Sequence, residues 1–237
     1  MKRFPLVFSL LPLLGGASFA DLSVAQNGRS FSNLSPNGDA KTELRNPVIL
    51  VHGLKDDARK MERMARHLRG EGWAAHTLSL TPSWGQVGLD ELADQLAAFV
   101  GRTFPNGEKF DLVAFSMGGI VARYYVQRLG GIERVDRFIT ISSPHHGTWL
   151  AHLIPNAGCR QMRPRSEFLR DLNSDAQMLA RIRFTSMWTP LDLIVVPQRN
   201  SRLGVGREIK LWMPVHPLMV CHPRAIRTVA DILRAQS

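Results

Sequence analysis

Short apolar runs alternate with amphipathic stretches along most of the chain. The first run, Val48, Ile49, Leu50 and Val51, is uninterrupted and rich in β-branched residues, the pattern of a strand buried on both faces. Residues 73–80, 110–115, 135–141, 184–188 and 209–213 repeat the theme, and each predicts a strand. Between the runs, apolar residues return at helical spacing. Ala58, Met61, Met64, Ala65 and Leu68 share one face of a helix that Gly70 and Gly72 stop. Leu92, Leu96, Phe99 and Val100 do the same over residues 89–100; Ile120, Val121, Tyr124, Tyr125 and Val126 over 117–129; Ile226, Val229, Ile232 and Leu233 over 223–235. Residues 148–183 are less regular and predict one amphipathic helix around 166–182. Alternating strands and helices imply a parallel sheet covered on both sides. That is an α/β, doubly wound architecture, with its site at the C-terminal strand ends.

The pattern also sets the boundaries. At 237 residues and 44% hydrophobic content, the chain is long enough for one well-packed domain and short for two. That domain is expected over residues 46–237. Residues 21–45, rich in Ser, Asn and Gly, predict an N-terminal arm without a core of its own. Residues 1–20 have the form of a secretory signal peptide: Lys2 and Arg3 precede an apolar run, and Ser18 and Ala20 supply small residues for cleavage near Ala20. Pro5, Ser9 and Pro12 break that run, which is too short for a membrane anchor of about 20 residues. Export would permit a disulfide, and Cys159 and Cys221 fit either one bridge or two buried thiols.

Charge narrows the partners. The formal balance is +10, and it drops by two if Lys2 and Arg3 leave with the signal peptide. Nucleic acid is not the expected partner, because the arginines are spread along the chain and no recognition motif accompanies them. An anionic lipid surface fits the charge better, with a monomer as the expected state.

Chemistry is most legible at Ser116. The strand-like Phe110 to Phe115 runs into the helical stretch that begins at Met117, so the serine sits on a strand–turn–helix elbow. Such a turn needs small residues two before and two after the serine, here Ala114 and Gly118. A serine hydroxyl needs a base, and the base needs an acid to fix its tautomer. In this architecture both follow the serine, acid first. Asp192, just beyond the strand ending at Trp188, is the preferred acid over Asp171 and Asp175, which fall in a helical stretch. His216 lies in the loop after the last strand and is the preferred base. His222 directly precedes Pro223 and the closing helix, where a capping role suits it, and it remains the alternative. Oxyanion donors are expected from the Met117 N–H and, after His52-Gly53, from the Leu54 N–H. His145 and His146 are adjacent and lack further donors at ligand spacing, so no metal or other cofactor is expected.

These segments together resemble small secreted bacterial lipases and esterases of the α/β-hydrolase superfamily. The stretch from Pro47 to Leu54 resembles that family's oxyanion-loop motif, and Ala114-Phe115-Ser116-Met117-Gly118-Gly119 its Ala-variant elbow. Ser143-Pro144-His145-His146-Gly147-Thr148 resembles a segment found in many lipases. The resemblance implies a triad of Ser116, Asp192 and His216, with Leu54 and Met117 as oxyanion donors. It departs at Val215, where a small residue usually precedes the histidine. Carboxylic ester substrates, often acylglycerols, are what it implies. An acyltransferase with the same triad, or a non-catalytic surface-binding relative, are the competing readings. Residues 148–183 are expected to wall the acyl pocket with Trp149, Leu150, Leu153 and Ile154, and to form a basic shoulder with Arg160, Arg163, Arg165, Arg170, Arg181 and Arg183.

Overall fold

The computed structural model describes residues 45–235, so the predicted signal peptide and all of the predicted arm except Arg45 lie outside the described residues. Six strands form the sheet: β1 (Val48–Val51), β2 (Ala75–Leu78), β3 (Phe110–Phe115), β4 (Val135–Ile141), β5 (Arg183–Trp188) and β6 (Arg207–Lys210). They run in the order β2-β1-β3-β4-β5-β6, and every pairing is parallel. Around them lie α1 (Ala58–Gly70), α2 (Leu89–Thr103), α3 (Met117–Arg128), α4 (Ala157–Gln161), α5 (Glu167–Ser174), α6 (Leu218–Cys221) and α7 (Pro223–Arg234). This is the doubly wound α/β architecture that the alternation of runs predicts, and the α/β-hydrolase fold that the resemblance implies.

Side chains leave a strand alternately to its two faces. Val48 and Leu50 therefore pack with Met61, Met64 and Leu68 of α1 and with Ile226 and Val229 of α7. Ile49 and Val51 pack on the other face with Leu92 and Leu96 of α2 and with Ile120 and Val121 of α3. A full layer of helix on each side explains why β1 and, apart from Asp111, β3 are apolar: all of their residues are buried. The outer strand β6, exposed at both ends, carries Arg207, Glu208 and Lys210, charges that discourage further pairing at a free edge.

The chain leaves β1 toward α1 on one face and leaves the adjacent β3 toward α3 on the other. Where neighbouring strands send their connections to opposite faces, a crevice opens at their carboxyl ends. The loop 52–57 and Ser116 both emerge there.

Three predicted elements differ from those observed. Residues 166–182 do not form one helix: α5 ends at Ser174, and a 3₁₀ segment, Ala176–Arg181, follows. Asn173, Ser174 and Asp175 are consecutive residues whose side chains compete for backbone partners, and Ser174 Oγ donates to Asp171 O at 2.7 Å. The strand expected at 209–213 is β6, shifted toward the N-terminus. Leu211 and Met213 are buried just beyond it, and their apolar character marks the core without marking the strand. The run at 73–80 contributes only Ala75–Leu78 to the sheet. Both cysteines are free thiols, Cys159 buried and Cys221 partly exposed.

Candidate active site

Ser116 follows β3 with φ 53° and ψ −123°, a left-handed conformation that costs a non-glycine residue about 1 kcal/mol or more. Packing on both sides enforces it. The Ser116 N–H donates to Ile141 O of β4 at 2.8 Å, anchoring the turn to the sheet. A Cβ on Gly118 would lie 2.2 Å from His52 O, so the first turn of α3 can press against the β1 loop only with glycine there. The elbow rule on small residues is thus a packing requirement between two loops.

The candidate acid and base arrive from the other half of the sheet. Asp192 and His216 lie in the loops after β5 and β6, and both are buried. His216 Nδ1 is 2.7 Å from Asp192 Oδ2, and His216 Nε2 is 2.9 Å from Ser116 Oγ. With Nδ1–H donating to the carboxylate, the Nε2 lone pair faces the serine hydroxyl. Burial alone would raise the Asp192 pKa. The hydrogen bond and charge of His216, with N–H donors from Val195 and Ile194 at 2.9 and 2.8 Å, outweigh it and hold the carboxyl below its ordinary range. The Phe115 ring packs against His216, centroids 4.7 Å apart. Thr189 Oγ1 ties the two loops together, donating to Met213 O at 2.8 Å and accepting from Leu191 N–H at 3.2 Å.

The loop after β1 completes the crevice. A Cβ on Gly53 would sit 3.1 Å from Ser116 Cβ, so this loop lies directly on the serine. Among the described residues the Leu54 N–H has no hydrogen-bond partner. The Met117 N–H opens α3, at the end where a helix cannot satisfy its own donors. His52, which the sequence marks only as the end of a strand, braces this loop. Its Nε2 accepts from Leu80 N–H at 2.9 Å, so its Nδ1 carries the proton and donates to Gly53 O at 2.8 Å. Burial pushes its pKa down, which keeps it in this neutral form. The available signal was a histidine directly before the oxyanion glycine; its partner at Leu80 was not foreseeable.

Of the remaining candidates, His222 caps α7, its Nδ1 accepting from Arg224 N–H at 3.1 Å. Asp171 and Asp175 both bind Arg128. His145 is buried with Nε2 2.9 Å from Thr140 Oγ1, whereas His146 is exposed. Trp149 and Leu153 are exposed, as are Leu191, Leu193 and Ile194 beside Asp192 and Val215 beside His216. Met117 and Met219 are fully buried in the core. The basic shoulder is smaller than predicted. Arg181 pairs with Glu133, and Arg183 starts β5 beside Asp136, because the chain has by then returned to the end of the sheet remote from Ser116.

Comparison with known proteins follows the same outline. The family model described as palmitoyl protein thioesterase matches residues 47–190, more than half of the chain. The match spans the β1 loop and Ser116 and stops just short of Asp192. Among solved structures, the mature form of lipase BlEst2 from Bacillus licheniformis is 18% identical, with a TM-score of 0.67 over 80% of this chain and 92% of that one. Lipase B from Aspergillus fumigatus is 21% identical, with a TM-score of 0.68 over 81% of this chain and 53% of that one. The ydeN gene product of B. subtilis is 13% identical, with a TM-score of 0.60 over 80% of this chain and all of that one. At these identities the likeness is one of fold.

Proposed function

The chain belongs to the palmitoyl protein thioesterase family and is a hydrolase of the lipase and esterase type; from that premise we propose that it cleaves acyl esters or thioesters through Ser116, His216 and Asp192. The observation that carries this reading is the continuous path from Asp192 Oδ2 through His216 to Ser116 Oγ, with contacts of 2.7 and 2.9 Å. Ser116 Oγ attacks the acyl carbonyl while its proton passes to His216 Nε2. Negative charge moves onto the carbonyl oxygen, where the Leu54 and Met117 N–H groups receive it; the loss of one such donor typically costs about 100- to 1,000-fold in rate. His216 then returns the proton to the leaving alcohol or thiol, and the acyl group remains on Ser116. Water, deprotonated by the same nitrogen, attacks the acyl-enzyme and restores the serine. Asp192 stays ionised throughout and stabilises the imidazolium.

A long acyl chain is the substrate part we favour. The family's description names palmitoyl groups. The exposed side chains of Leu191, Leu193, Ile194 and Val215 also flank Asp192 and His216 and give an acyl chain apolar surface to lie on. Export stays within the proposal on the strength of the leader-like residues 1–20. The test is a chain-length series of nitrophenyl esters and acyl thioesters, hydrolysed by the wild type and by Ser116→Ala. The proposal expects rates that rise toward long chains and fall by several orders of magnitude in the folded variant. Near-wild-type turnover in Ser116→Ala would dismiss the nucleophile, and a preference for the shortest acyl groups would dismiss the long-chain substrate.

A further inference from the structure

Apart from the triad, none of whose residues lines it, is a cleft of about 550 Å³ between the 3₁₀ turn at Trp149, the segment from Pro164 to Ser174 and the turn at Pro197 to Asn200. Arg165, Arg170 and Arg199 line it, and no Asp or Glu does. Elsewhere the arginines are commonly paired: Arg59, Arg69, Arg128, Arg137, Arg202 and Arg234 each meet a carboxylate. Among the described residues, the side chains of Arg165, Arg170 and Arg199 have neither an ion-pair nor a hydrogen-bond partner. Three unneutralised guanidiniums around one cavity repel one another, an arrangement that an anion would relieve.

The floor of the cleft is held in place. The buried Arg123 donates to Asn173 Oδ1 at 2.9 Å, which turns Asn173 Nδ2 toward His145 O at 3.0 Å. Asn200 Nδ2 donates to Gly147 O at 2.8 Å, and His146 N–H donates to Asn200 O at 3.1 Å. Gly147, at φ 82°, lets this strip of chain touch Pro164, whose nitrogen would lie 2.5 Å from a Cβ there. Arg165 follows with φ 65°, a left-handed conformation that non-glycine residues seldom adopt.

We propose that this cleft binds the phosphate of an anionic phospholipid headgroup and so seats the enzyme on a membrane or lipid surface. Each guanidinium presents a planar fork that matches two phosphate oxygens, and three cations suit a doubly charged phosphomonoester better than a single carboxylate. The source is a lipid because charge and grease adjoin. The loop that begins at Asp192 exposes Leu193 and Ile194 and ends near Arg199, and Trp149, itself exposed, lines the cleft, its backbone N–H donating to Val196 O of that loop at 2.9 Å. Apolar groups entering the acyl boundary, with arginines at headgroup level, are the pattern of an interfacial surface.

The experiment uses the full chain carrying Ser116→Ala, so binding is read without turnover and independently of the proposed reaction. Sedimentation with phosphatidylcholine vesicles, with and without phosphatidic acid, gives the partition coefficient. Phosphatidic acid should tighten binding, and Arg165→Ala/Arg170→Ala/Arg199→Ala should weaken it by about a hundred-fold, given the usual contribution of each basic residue at an anionic surface. Arg66→Ala/Arg102→Ala/Arg227→Ala removes the same charge from exposed sites elsewhere and should cost far less. The conservative Arg165→Lys/Arg170→Lys/Arg199→Lys protein should fall between the two. With Ser116 restored, the cleft variant should hydrolyse a short soluble ester at the wild-type rate. Equal losses in the two alanine triples would reduce the effect to diffuse charge and overturn the site. Binding of soluble glycerol 3-phosphate in the cleft, with no preference for phosphatidic acid vesicles, would overturn the lipid as its source.

Discussion

The two halves of the proposed catalytic crevice are held by different forces. Ser116 and the β1 loop are clamped by backbone and glycine contacts inside the most buried part of the sheet. Asp192 and His216 are carried by loops beyond the outer strands, and side-chain hydrogen bonds, chiefly those of Thr189 and of Asp192 itself, set their positions. Close packing resists displacement collectively, whereas each buried hydrogen bond contributes only about 1 kcal/mol net. Substitutions in the first half should therefore cost stability and activity together. In the second half they should cost activity first.

The largest effect should come from His216→Ala, which removes the proton acceptor and should lower kcat/KM by roughly three to six orders of magnitude. His222→Ala should lose only a cap, about 1 kcal/mol of stability, and keep most of its activity. Steady-state kinetics on one soluble ester separates them, and a dead His222→Ala beside an active His216→Ala would reverse the assignment.

Asp192→Asn should come next, with a loss of about 10,000-fold and little change in melting temperature. Its Oδ1 would keep the Ile194 and Val195 N–H groups, which turns the new NH₂ toward His216 Nδ1. The histidine must then accept at Nδ1 and carry its proton on Nε2, where it can no longer take one from Ser116. An Asp192→Asn protein with wild-type kcat would contradict this.

Gly118→Ala probes the packed half. Its Cβ would meet backbone at 2.2 Å, so either α3 or the β1 loop must move. We expect a loss of about 2–4 kcal/mol in urea unfolding, with activity reduced in the fraction that stays folded. Thr189→Val probes the other half. It keeps the shape of the side chain and breaks its bonds to Met213 and Leu191. Stability should drop by about 1–2 kcal/mol and kcat by roughly ten-fold. Equal stability losses in the two variants would erase the distinction between the halves.

Much of this difference was already present in the sequence. Ser116, Gly118, Gly53 and β1 were legible because strand, turn and helix are contiguous and each has a local signature. Asp192 and His216 were singled out by topology, because a residue just past a strand in a parallel sheet emerges on the site face, and by the family resemblance. Pairing between strands was not written locally, so Thr189 as the tie between two loops, and His52 as the brace to Leu80, were missed. The end of α5 at Asn173-Ser174-Asp175 was missed too, because the apolar periodicity continues through residues whose side chains compete for the backbone. Arg181 and Arg183 fall at the other end of the sheet because a parallel strand starting at Arg183 begins at the end remote from Ser116.

The smallest effect on activity lies at that remote end and serves as a control. Burial pushes the Asp111 carboxyl up to about 6, despite the opposing charge of Arg137 and the hydrogen bond from Asn46. The folded state therefore holds this proton more tightly than the unfolded one. Its contribution to stability is greatest below the ordinary value of 3.8, declines as pH rises toward 6 and stays lost above it. Asp111→Asn should gain on the wild type by up to about 3 kcal/mol across that window, with no change in the pH profile of kcat. A stability difference that is flat with pH would remove the burial argument.

Intact-mass and peptide mapping after reaction with a fluorophosphonate, which esterifies only a serine activated by its base, tests the central claim most directly. The account predicts one phosphonyl group, on Ser116, acquired rapidly by the wild type, at least about a thousand-fold more slowly by His216→Ala, and not at all by Ser116→Ala. A label on any other residue, or equal labelling rates with and without His216, would contradict it.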